Sequence, residues 1–335
     1  MIRPASAVGL LVLIAATLAA PQIFSGSVTQ NLAILSMLYA IVASNWDLTL
    51  GYAGIFNFAH VAFFGIGCYV AAISTLHFGV PVWWDLILAV VVVALMSGIT
   101  AVLALRLRGI YVALVTFALT QLCVALINSQ KEIAGGPIGL VGVPDLSIGE
   151  FAFGNDQRSY FYATELLLIA STVTMRWLAT SDFGISLVAL RDFEDYAVSR
   201  GIPPTRQRVL AIVASGVFTS LAGALYAHYL GVASPDVFSF SLSTLLLSMV
   251  LVGGAATTYG PIVAAIVLTL VAEKLADIGN IRFMVIAALI VLTLRFLPGG
   301  AWSLVKRLHL RLAARQAGRD QSAEGHNRAD EPHPS

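Results

Sequence analysis

The stretch WDLILAVVVVALMSGITAVLALRLRGIYVALVTFALTQLCVALIN, residues 84–128, decides the class of this protein. It holds two apolar runs, Trp84–Leu105 and Ile110–Asn128, joined by a connection that carries Arg106 and Arg108. A membrane-crossing helix needs about 20 mostly apolar residues, because the hydrocarbon core is ~30 Å thick and each residue rises ~1.5 Å. Both runs meet that length. In lipid a helix satisfies its own backbone groups, so each run reads as a spanning helix.

Similar runs lie on both sides of this pair: Ala7–Phe24, Leu32–Leu50 and Ile55–Leu76 before it, and Phe161–Leu178, Val209–Leu230, Leu242–Val252, Pro261–Ala276 and Phe283–Leu297 after it. The sequence therefore predicts an all-α polytopic integral membrane helical bundle of about ten transmembrane helices. The eighth run is short and the third is rich in glycine, so segments 51–76 and 242–260 are candidates for re-entrant or broken helices. Composition agrees with the class. Of 335 residues, 58% are hydrophobic and 11% charged, against about 25% charged in a soluble domain. Lipid must cover much of the surface. A net charge of +1 argues against a nucleic-acid partner. Cys68 and Cys123 lie inside apolar runs without metal-ligand spacing and read as small hydrophobes. Arg3, the apolar residues from Ala7 to Ala20 and then Pro21 could form a signal peptide. Because further apolar runs follow at once, residues 1–30 are read as a retained N-terminal transmembrane helix.

Charge orients the chain. With ten spans, Arg106 and Arg108, then Arg191, Arg200, Arg206 and Arg208, and finally Lys306, Arg307, Arg311, Arg315 and Arg319 fall on the same side as Arg3. The other side receives Lys131, Arg158, Lys274 and Arg282. The positive-inside bias then places both termini in the cytoplasm. The polar loop 130–159 becomes extracytoplasmic, and segment 181–208 becomes a cytoplasmic loop. The tail 299–335 is basic, and its polar, aperiodic end reads as largely disordered. The loops are too short for an independent catalytic domain.

In the cytoplasmic segment SDFGISLVALRDFEDYAVSRGIPPTRQRVLA, Phe183, Leu187, Leu190, Phe193 and Ala197 recur at three- and four-residue intervals, giving one apolar helical face. Gly201, Pro203 and Pro204 end that helix. A short helix outside the membrane must cover such a face, either on lipid headgroups or in a partner's groove. The residues alone leave both open. Within the spans, Asp47, Asn57, His60, Gln121, Glu165 and Glu273 are the costly polar groups. They are scattered and form no evident proton relay. Gly51, Gly54, Gly65 and Gly67, with Gly253, Gly254 and Gly260, can interrupt helices, and interrupted helices expose backbone groups to polar cargo in transporters. Gly216, Ser220 and Ala224, beside Ser215, Thr219 and Gly223, repeat every fourth position and predict close helix contacts. The chain has no phosphate-binding loop, so ATP hydrolysis would have to occur on another chain. No nucleophile, metal set or paired carboxylates converge, and neither an enzyme nor a resident cofactor is expected.

Five blocks in order carry a family resemblance: GYAGIFNFAHVAFFGIGCYVAA from Gly51, RLRGIYVALVTFALTQL from Arg106, GGPIGLVGVP from Gly135, the segment from Ser181, and LAGALYAHYLGVASPDVFSFSLSTLLLSMVLVGGAATTYGP from Leu221. Over about residues 31–298 the chain resembles the permease subunits, of the LivM type, of bacterial branched-chain amino acid ABC transporters. The resemblance implies an inner-membrane importer of leucine, isoleucine and valine. Its parts would be this chain, a sister permease subunit, two cytoplasmic ATP-binding subunits and a periplasmic substrate-binding protein. It also implies that the loop from Arg191 to Gly201 is a coupling helix seated on the ATPase, with Arg191, Glu194, Ala197 and Gly201 as its residues. Tyr196 stands where the family pattern has alanine. The glycine-broken segments, with Gly51, Tyr52, Gly54, Asn57, His60, Gly65, Gly253 and Gly254, would contribute to the translocation path. Ile55, Asn57 and Ala59 depart from the family's usual residues, which keeps urea and short-chain amides open as cargo. In a different class, an ion-coupled secondary transporter remains the alternative.

Overall fold

The computed structural model describes residues 27–107, 109–148, 151–152 and 157–275, with the single positions 284, 285, 287, 288, 295 and 300. The expected first span Ala7–Phe24, nearly all of Phe283–Leu297 and the tail lie outside the described residues.

Helix α1 (Ser27–Asp47) runs into a π turn (Leu48–Tyr52), and after an unwound stretch at 54–58 the chain continues as α2 (Ala59–Phe78). Next come α3 (Val82–Leu105), α4 (Ile110–Ser129) and the single turn α5 (Lys131–Ala134). The following loop holds β1 (Leu140–Val141) and a hairpin of β2 (Ser147–Ile148) with β3 (Phe151–Ala152). Then follow α6 (Gln157–Thr180), α7 (Asp182–Asp192), α8 (Glu194–Ser199) and α9 (Pro204–Leu230). After β4 (Val232–Ala233) and a 3₁₀ turn (Pro235–Phe238), the described elements close with α10 (Phe240–Gly253) and α11 (Tyr259–Lys274).

Local chemistry sets these boundaries. α9 opens with Pro204 in its first turn and ends at Gly231, whose φ of 66° is left-handed, the usual proline-in, glycine-out asymmetry. At α10, Ser239 caps the start by accepting from the Leu242 N–H at 3.2 Å.

Five of the described helices are long and apolar enough to cross a membrane: Val28–Tyr52, Ala59–Phe78, Val82–Leu105, Ile110–Ser129 and Pro204–Leu230. The protein is a multi-pass helical membrane protein. Within the third predicted span the break is confined to its start, and Ala59–Phe78 is continuous. α10 has 14 residues, about 21 Å at ~1.5 Å per residue, which is short of the ~30 Å hydrocarbon core.

α1 is the axis of the bundle. It packs against α6, α9, α10 and α11, and Ile34, Leu38, Ile41 and Trp46 are fully buried. α2 and α9 approach closely enough that a Cβ on Gly67 would meet the Ser220 backbone, and one on Gly223 the Phe64 carbonyl. The four-residue small-side-chain spacing thus marks a real close contact. α3 and α4 form the rim, with Ile87, Val91, Leu95, Ile99, Leu114, Leu122 and Leu126 pointing outward. An apolar exposed face of that extent suits lipid. At one end of the bundle β1 pairs antiparallel with β4, Leu140 opposite Ala233 and Val141 opposite Val232, drawing the long loop onto the end of α9.

Candidate functional site

The site begins with a buried carboxylate. Asp47, the last residue of α1, is 0% exposed. Its Oδ1 accepts from the Ala256 N–H at 2.7 Å, and its Oδ2 accepts from Thr257 at 3.1 Å and Thr258 at 3.0 Å. Consecutive N–H groups converge in this way because the α10–α11 loop bends through left-handed conformations at Gly254, Ala256 and Thr258, with φ of 103°, 58° and 61°. Such a concavity is an anion-binding nest. It also opens α11, whose N-terminal dipole favours the same negative charge. The Tyr52 hydroxyl lies 3.0 Å from Thr258 Oγ1 and adds a side-chain tie.

The first glycine-broken segment lies against this nest. A Cβ on Gly51 would strike both the Asp47 carboxylate and the Ala256 backbone, so only glycine fits. The Gly51 carbonyl accepts from Arg191 Nη1. The aliphatic stem of Arg191 covers Gly54, whose φ is +67°. Arg191 Nε also donates to Asp192 Oδ1 at 2.8 Å, and this hydrogen bond holds the Asp192 carboxyl below the usual carboxylate range. Gly253 packs on Gly260, where a Cβ on either would meet the other's backbone.

Among the residues singled out from sequence, Gly51, Tyr52, Gly54, Gly254 and Arg191 therefore gather at one end of the bundle, with Gly253 beside them. Others lie elsewhere. His60 has both ring nitrogens engaged, Nδ1 with Asn57 Oδ1 at 3.0 Å and Nε2 with Ser215 Oγ at 3.1 Å, and it stacks on Trp46. Gly65 sits within α2 against the Phe238 ring. Gln121 is exposed on α4, Glu165 is buried in α6, and Glu273 is exposed near the end of α11.

The apolar stripe of the segment from Ser181 is not one continuous helix. The chain breaks at Phe193, with φ −146° and ψ 77°, so Leu187, Leu190 and Ala197 stay buried while Phe193 turns outward at 74% exposure. Tyr196 and Val198 are exposed beside it. Glu194 accepts from Arg208 at 2.9 Å, and Gly201 adopts φ +85° in open space.

Two residues that the sequence reading passes over form the counterpart at the opposite end. Asp85 Oδ2 lies 3.0 Å from His228 Nε2, and both side chains are 0% exposed. His228 Nδ1 lies 2.7 Å from the Pro144 carbonyl. A carbonyl only accepts, so Nδ1 carries a proton and a second proton is held between Nε2 and Asp85. The Tyr160 hydroxyl donates to the His228 carbonyl at 3.0 Å and accepts from the Leu146 N–H at 2.9 Å. The signal available in sequence was an acid and a histidine inside apolar runs, where such groups are expensive. Among the described residues, no three His, Cys, Asp or Glu side chains converge as a metal site.

The family described as branched-chain amino acid transport system / permease component matches residues 28–294. The chain belongs to that family. LivM of Salmonella typhimurium, a high-affinity branched-chain amino acid transport system permease protein, is 28% identical over 314 residues, covering 87% of this chain and 74% of LivM. LivM of Escherichia coli is 28% identical over 294 residues, 81% of this chain and 69% of that protein. LivH of Escherichia coli, also a permease protein of that system, is 24% identical over 294 residues, 79% of this chain and 91% of LivH. No solved structure matches the chain significantly. The chain is thus a LivM-type transport permease, and the described buried ends, rim and broken helices are those of a permease component.

Proposed function

We propose that this permease is one of two membrane subunits of a binding-protein-dependent ABC importer for branched-chain amino acids. A sister permease, two cytoplasmic ATP-binding subunits and a periplasmic binding protein complete the machine, and ATP is hydrolysed on the separate subunits. In this reading ten spans cross the inner membrane and both termini are cytoplasmic. The loop with Arg191, Glu194, Ala197 and Gly201 is the coupling segment, and the glycine-broken segments move with it.

The observation that carries the reading is the path from Arg191 to Gly51, Asp47 and the Ala256–Thr258 nest. A displacement of α7 and α8 by a partner acts on the Gly51 carbonyl through the guanidinium. It reaches the α10–α11 break through Asp47. Phe193, Tyr196 and Val198 are exposed on the outer surface of the coupling segment, an apolar patch suited to a partner's groove. Cargo binding outside and ATP binding inside then bias one equilibrium between inward- and outward-open forms.

Purification from native membranes in mild detergent, with reconstitution, tests the assignment. The expected result is a complex of two permeases and two ATPases that takes up leucine on ATP addition. Phe193→Asp should release the ATPases while the permease stays inserted. A chain that purifies alone and transports without ATP would overturn the reading.

A further inference from the structure

The chain break before α10 lies at membrane depth. The 3₁₀ turn Pro235–Phe238 packs on α2 and α4, and the Phe238 ring covers Gly65, inside the 20-residue α2. Phe240, the first residue of α10, meets Phe117 edge-on at 5.7 Å and 81°. Phe117 divides α4 into residues 110–116 and 118–129, roughly 10 Å of helix on one side and 18 Å on the other at ~1.5 Å per residue. Irregular backbone this deep, carrying the exposed carboxylate of Asp236, is tolerated against protein or water and not against lipid. This face therefore differs from the lipid-suited rim.

The unwound stretch at 54–58 reaches the same place. The Phe58 ring meets Phe117 edge-on at 5.9 Å and 72°, Phe56 at 5.5 Å and 81°, and Trp46 of α1 at 5.9 Å and 73°. Its N–H donates to Thr116 Oγ1 at 2.9 Å. A row of rings, Phe56, Phe58, Phe117 and Phe240, thus joins two helix breaks across α4. Both breaks are tied to the Arg191 end. The Arg191 stem covers Gly54 in the same unwound stretch as Phe58, and α10 carries Phe240 at one end and meets the loop bound by Asp47 at the other.

We propose that Phe58, Phe117 and Phe240 are the gate of the permease's translocation path. Packed apolar rings exclude water, and such a constriction blocks polar solutes until it widens. Edge-to-face contacts are individually small, so the row can part and re-form. Movement of Arg191 draws Gly54 and Phe58 along one side of the row, and movement of α10 draws Phe240 along the other. The source of that movement rests on the importer reading; the position of the gate rests on the two breaks and the rings between them.

The test uses the assembled importer sealed into liposomes preloaded with labelled glycine, without ATP or binding protein. Phe117→Ala and Phe240→Ala should each speed glycine efflux at least several-fold over the wild type. Phe240 is 62% exposed, so its truncation removes little packing and decides the matter if Phe117→Ala fails to assemble. Phe161→Ala empties a buried position on α6, where the described ring contact is with Tyr162. It should lower the melting temperature without opening a leak. In variants lacking Cys68 and Cys123, an impermeant thiol reagent should reach Asp236→Cys from one face of the membrane and Phe56→Cys from the other. Liposomes that stay tight with both gate variants would overturn the gate, as would an equal leak from Phe161→Ala. So would an Asp236→Cys thiol that reacts from neither face, the result for a turn covered by lipid. Absence of ATP-driven leucine uptake in the wild type would instead overturn the importer reading and leave the leak comparison standing.

Discussion

Each end of this bundle buries one carboxylate, and the two are held in opposite ways. Asp47 is held by backbone: three successive N–H groups of the α10–α11 loop donate to it. Asp85 is held by a side chain, His228, which is in turn fastened to Pro144. One Asp85 oxygen has no partner among the described residues. A backbone nest exists only while the loop keeps its left-handed bends, so Asp47 reports loop conformation directly. A side-chain pair persists through modest backbone shifts and pins the long loop to α9. The first arrangement suits a joint that transmits motion, and the second suits a fastener.

The largest effect should follow Asp47→Ala. It orphans buried N–H groups at ~1–3 kcal/mol each, so stability should fall by roughly 4 kcal/mol, with loss of transport. Thermal melting in detergent and uptake in vesicles check this. Because the partners are backbone, no second side-chain substitution should restore the protein. Suppression by such a change would break the comparison.

His228→Ala should cost roughly 3 kcal/mol, since it strands the Asp85 carboxylate. Here rescue is expected. Asp85→Leu combined with His228→Leu removes both partners and should recover most of the lost melting temperature, because apolar replacement of a buried pair is often neutral. Failure of the double variant to recover would show that the second proton and the Pro144 contact matter beyond pairing. Combined with an Asp47 change, the effects should add within ~0.5 kcal/mol, as expected for distant sites.

Gly54→Ala should have the smallest effect on stability, about 1–2 kcal/mol from the left-handed backbone. Its effect on transport should be larger, because the new methyl displaces the Arg191 stem. Melting temperature and uptake measured on the same preparation separate the two. Equal loss of both would mean that Gly54 serves folding alone.

Much of the architecture was legible because hydropathy sums locally: runs such as Val82–Leu105 and Ile110–Ser129 declare themselves within about 20 residues. The glycines were legible as interrupters, and the chain does unwind at 54–58 and bend after Gly253. Their separate uses were not. Gly65 has the same local look, yet it lies inside a continuous helix beneath Phe238. The stripe through Phe193 has helical spacing, but the chain turns at that residue and sends the ring outward.

The sequence by itself determined that this chain lives in lipid, that its backbone is helical and that it is a permease of the branched-chain amino acid family. Those conclusions rest on composition, on local apolar runs and on ordered motifs. Only the tertiary structure decided that Asp47 caps a loop 209 to 211 residues away, that Asp85 meets His228 across 143 residues, and that Arg191 faces inward onto Gly51. No local preference encodes such partners. Ala256 and Thr258 disfavour the left-handed bends they adopt, and it is the packing of α1, α10 and α11 around the carboxylate that imposes them.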